Sequence, residues 1–241
     1  MAVVFASVSR NQTLRLALES FLFAISAYWF RSAGGFWAGL AVVLFFAYAY
    51  FRPISRSFRF LIVSFTLLAY CFLFPNLGSL ELEALFAFSL GVLMYLLVGV
   101  KDMLFIKRKE TTQLLYSMIF FMGVYLYFSV TSLASQIGLF FFSLFLFREL
   151  YVLLSDGSRN GQMLVSVVSS LIGVELAWGF ELLPLSSSSA SIIVTAGVFI
   201  VNDIFMAYKL GTIAYKTLRW EIATAIALSF IILALSRWSL S

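Results

Sequence analysis

The chain has 241 residues, 63% hydrophobic and only 11% charged, with a formal net charge of +5, no histidine and one cysteine, Cys71. A soluble domain carries about 45–50% apolar and 25% charged residues, so a water-facing globular surface is excluded. The missing histidine excludes His-ligated haem, His-Glu-x-x-His zinc sites and Ser-His catalytic pairs, and the single cysteine excludes an intrachain disulfide.

Apolar segments near the spanning length of about 20 residues run from Leu14 to Phe30, Gly34 to Phe51, Phe60 to Phe74, Leu80 to Val100 and Leu114 to Val130. Four more run from Ile137 to Leu154, Met163 to Leu183, Ser191 to Tyr208 and Ile222 to Trp238. Stretches such as Leu139 to Phe147 lack the period-two alternation of a barrel strand, which leaves helices. The expected fold class is therefore all-α, a polytopic helical membrane bundle of nine transmembrane helices. Breaks fall at Arg52-Pro53, at Pro75 to Gly78, at Ser155 to Ser158, and at the serine run 186–189 after Pro184. Glu19 interrupts the first apolar segment, which reads as a retained helix and not as a cleaved signal.

Charge tests this division independently of apolarity. With the N-terminus cytoplasmic and the C-terminus outside, fourteen of the sixteen basic residues lie on inner flanks, leaving Arg31 and Arg237 outside. The net charge then follows from topology, and the expected localisation is the plasma membrane, multi-pass. Membrane lipids are the expected partners, with protein partners or further copies of the chain in the membrane left open. Nucleic acid is not a partner, because no soluble basic surface exists to hold it. The chain reads as one integral membrane domain over 1–241. A 1+4+4 helix organisation (12–31, 34–130, 137–238) is suggested by Pro75 and Pro184, each followed by span, basic loop and span, with Lys107 and Lys216 at the same offset.

Charged groups inside a span cost about 2.5–3.5 kcal/mol on insertion scales, so they mark the places to look. Arg148 and Glu149 lie in the inner half of the sixth span, Asn202 and Asp203 in the inner half of the eighth, and Glu19 four residues after Arg15. These five are expected to form one polar layer. In one reading Arg148 neutralises the neighbouring carboxylates and fixes helix register. In the other a carboxylate in excess of the one deep arginine serves a proton or cation pathway. Glu175, with Trp178 and Gly179 on the same helix face, is a secondary candidate for an outer vestibule or for a carboxyl bonded to a neighbouring Ser or Tyr. Glu81 and Glu83 read as solvated surface charge. Lys101, Lys107, Arg108 and Lys109 form a basic loop suited to lipid head groups. Gly35 and Gly39 make a GxxxG pattern, a weak sign of close helix contact.

Asn202-Asp203 resembles the opening of the Asn-Asp-x-x-Asp motif of the UbiA-type prenyltransferases, whose span count is also similar. Met206 stands where the second Asp would be, and no second Asp-rich loop follows, so a divalent-metal site would lack oxygen ligands. No catalytic residue, metal or cofactor is expected. Transport or permeation of a small solute or ion is the leading functional expectation. A membrane-embedded structural or assembly subunit is the alternative, and a lipid-modifying enzyme comes third.

Overall fold

The computed structural model describes residues 2–51, 60–75, 77–102, 108–130, 132–154 and 159–209, together with positions 223 and 227. Among them the chain is all-helical, with eight helices: α1 (Ala2–Ala33), α2 (Phe36–Phe51), α3 (Leu61–Leu73), α4 (Leu80–Lys101), α5 (Arg108–Ser129), α6 (Leu133–Leu154), α7 (Arg159–Glu181) and α8 (Ser187–Lys209). Each of the first eight apolar segments falls on one of them. Five stretches are long and apolar enough to cross a membrane: Leu80–Lys101, Lys109–Ser129, Leu133–Leu154, Asn160–Glu181 and Ser187–Phe205. The 16 residues of α2 and 13 of α3 extend about 24 and 20 Å, short of a hydrocarbon core of about 30 Å. Helix α1 has 32 residues, but Arg10, Arg15 and Glu19 dilute its apolarity. The expected ninth span, Ile222 to Trp238, lies outside the described residues except for helical positions 223 and 227. The breaks expected at Arg52-Pro53 and at Ser155 to Ser158 also lie outside them.

Serine side chains set several helix starts. Ser79 Oγ accepts from the Leu82 amide and caps α4, whose first turn carries Glu81 and Glu83 against the positive end of the helix dipole. Ser132 and Ser135 cap α6 reciprocally, each amide donating to the other's hydroxyl at 2.9 and 3.1 Å. Ser186 accepts from the Ser189 amide at 3.2 Å. Helices α6 and α8 therefore begin four residues before the apolar runs that announced them, because a cap admits polar residues to the first turn.

The described helices fall into two compact units, Met1–Tyr116 and Ser117–Ser241, the division lying within α5. In the first, α1 packs on α2 and α4, and α3 packs on α2 and α4. The α1–α4 crossing is close at Gly91, where a Cβ would stand 2.8 Å from Ala24 Cβ and 3.0 Å from the Ser20 carbonyl oxygen. In the second unit α7 packs against both α6 and α8. Phe120, Phe147 and Phe199 meet there with ring centroids 5.2–6.2 Å apart, and the Tyr127 phenol donates to Glu181, joining α5 to α7.

Candidate functional site

Helical periodicity turns the small polar residues of the second unit inward. On α7, Gln162, Ser166, Ser169, Ser170 and Gly173 recur at spacings of three and four, which places them on one face. All five are buried. On α8, Ser191, Thr195 and Asn202 share a face in the same way, and α6 contributes Ser143 and Tyr151. The opposite faces present Leu164, Leu171 and Ile192 outward, as lipid contact requires.

Three of these groups bond to one another across α6, α7 and α8. Ser169 donates to Asn202 Oδ1 at 2.7 Å, the Tyr151 phenol donates to the same oxygen, and the two hydroxyl oxygens lie 3.2 Å apart. Exposure is 0% for Ser169, 2% for Tyr151 and 3% for Asn202, so the bonds form in a protein interior. Asn202 Nδ2 is buried and has no hydrogen-bond partner among the described residues, and the same holds for Thr195 Oγ1. Asp203 follows Asn202 on α8 and is half-buried.

Glu149 is buried two residues before Tyr151, whereas Arg148 is half-exposed and makes no ion pair with a described residue. Asn202 thus enters a cluster with Tyr151 and Ser169, and Arg148 does not neutralise Glu149 or Asp203. Glu19 belongs to the first unit, where Arg15 Nε stands 3.2 Å from its carboxylate across one turn of α1. Glu175 lies on the exposed face of α7 beside exposed Trp178 and Gly179, with no hydrogen bond to a described Ser or Tyr.

No known family, curated protein or solved structure matches the chain. The site therefore has to be read from its own chemistry.

Of the basic loop, Lys109 is exposed, Lys107 lies outside the described residues, and the side chain of Arg108 does too. Lys101 is not a loop residue. It ends α4 buried, its ammonium donating to the Tyr50 carbonyl and standing 4.5 Å over the Tyr50 ring. A cation there complements the negative C-terminal end of α2. Burial pushes the adjacent Asp102 carboxyl up from its ordinary range, against the opposing pull of the Lys101 charge.

Glu83 corrects the expectation of solvated surface charge. It is buried and paired with Arg31, whose Nε and Nη2 engage both carboxylate oxygens, the second at 2.8 Å. Arg31 also donates to the Phe74 and Pro75 carbonyls at 3.0 and 2.9 Å, and the Leu77 amide donates to Glu83 at 2.7 Å. Glu83 shares a face with Phe86, Ala87 and Leu90, all buried, whereas Glu81 points out. Position on the helix face decided its environment, not nearness to the helix end.

Proposed function

We propose that this chain is a multi-pass plasma-membrane protein that passes a small solute through the seam between α6, α7 and α8. The observation that carries the reading is the Tyr151–Ser169–Asn202 cluster with its buried Nδ2 group left over. Polar groups inside a membrane bundle are costly, and a donor without an acceptor gains nothing for stability, so its retention fits a group that meets a passing ligand. The nine-span arrangement with a cytoplasmic N-terminus belongs to this proposal and rests on the apolar segments and the charge bias.

Reconstitution of the purified chain into liposomes tests it. Osmotic shock with glycerol, urea and water, and imposed gradients of potassium and protons, are followed against empty vesicles. Flux of at least one probe about tenfold above empty vesicles is expected; background flux for every probe contradicts the reading.

A second reading, an assembly subunit, draws on one specific feature. Glu175 stands on the exposed face of α7, and the open space beside Gly179 leaves room for a neighbouring helix.

A further inference from the structure

We infer that the Tyr151–Ser169–Asn202 site takes the hydroxyl or carbonyl group of a small uncharged solute and turns cations away. The inference rests on the permeation reading above and names its substrate class.

The cluster's hydrogens and lone pairs can be counted. An asparagine amide offers one carbonyl oxygen with two lone pairs and one nitrogen with two hydrogens, and a hydroxyl has a single hydrogen to give. Both hydroxyl hydrogens of the cluster go to Asn202 Oδ1, which is thereby filled. What remains is donor capacity on Asn202 Nδ2 and lone-pair capacity on Ser169 Oγ. A buried donor without a partner is unfavourable, and an oxygen atom brought by a ligand removes that cost. A cation needs acceptors instead, and the amide oxygen of the cluster already takes two hydrogens.

Neighbouring groups extend the pattern. Ser166, Ser170 and Ser191 each give their hydrogen to the carbonyl four residues earlier in their own helix, which leaves only lone pairs for a ligand. Thr195, seven residues before Asn202 on the same face of α8, lies about 10 Å along the helix, with its buried hydroxyl unpartnered among the described residues. The seam therefore offers hydrogens at two levels and lone pairs around them. That suits a molecule that both donates and accepts, such as water, a polyol or a urea-like amide.

The test compares wild type with Asn202→Asp, Asn202→Leu and Ser169→Ala in the full-length chain, reconstituted at equal density. Glycerol and urea flux are measured beside potassium and proton flux. Wild type is expected to pass the uncharged probes and hold back both cations. Asn202→Asp replaces the donor by an acceptor of equal size and is expected to lose uncharged-solute flux at least fivefold, Asn202→Leu to fall to background. Ser169→Ala, the mildest change, is expected to lose about threefold and decides the matter if the Asn202 variants fail to reconstitute. Cation flux without uncharged-solute flux in wild type overturns this inference and leaves the permeation reading standing, as does unaltered flux in Asn202→Asp or, where only it reconstitutes, in Ser169→Ala. Background flux for every probe overturns both.

Discussion

Arg31 shows how much one side chain can organise in a chain with so few charges. Its guanidinium reaches from the end of α1 to Glu83 on α4 and to the two carbonyls that close α3, while Phe86 lies 4.7 Å beneath it. Side-chain exposure is 6% for Arg31 and 7% for Glu83, so either ion alone would be left desolvated. Removing one partner of such a pair costs about 3–5 kcal/mol, whereas replacing both with apolar groups is often nearly neutral. Arg31→Ala is expected to lower the melting temperature in detergent by several degrees, and the double variant Arg31→Met, Glu83→Leu to recover most of that loss. A wild-type melting temperature for Arg31→Ala would remove the pair from the account. Sequence could not reveal this contact, because 52 positions separate the partners and each lies near a helix end, where a charge is ordinarily solvated.

Glycine spacing is informative at the level of helices only once the facing surface is known. The GxxxG pattern of Gly35 and Gly39 divides its work: Gly35 has φ +97° and serves the α1–α2 turn, whereas Gly39 faces the Phe30 and Phe72 rings. Among the described glycines the tightest backbone approach lies elsewhere, at Gly91. A methyl group added there meets Ala24 Cβ and a backbone oxygen, neither of which can swing aside, so Gly91→Ala is expected to cost about 1–3 kcal/mol. At Gly123 the three atoms nearest an added methyl all belong to the Phe142 ring, which can rotate, so Gly123→Ala should cost less than half as much. Thermal melts of the two variants rank them directly; a larger loss for Gly123→Ala would contradict the described α1–α4 crossing. Helix existence was legible from apolar runs, and helix starts were less so, since the serine caps of α6 and α8 add a polar turn that hydropathy does not register.

For the whole molecule, composition excluded a soluble surface and the absence of period-two alternation left helices, because lipid-facing helices leave no role for the charge a soluble surface needs. The expected polar layer was legible only in part. Asn202 was found through its rarity in a span, yet its partners Ser169 and Tyr151 are common residues in membrane helices and carry no signal singly. The inward serine face of α7 and the Ser191, Thr195, Asn202 spacing on α8 were the available signs. Attention to charge favoured Arg148, which stands half-exposed, over hydroxyl groups that need each other to be buried. The central claim is that water and small solutes reach the α6–α8 seam, and thiol accessibility measures this most directly. In a Cys71→Ser background, Thr195→Cys is treated in intact membranes with a small water-soluble thiol reagent, with Ile192→Cys on the exposed apolar face of the same helix as control. Modification of the cysteine at position 195 at least tenfold faster than that at 192 is the predicted result; an unreactive position 195 in folded protein would contradict it.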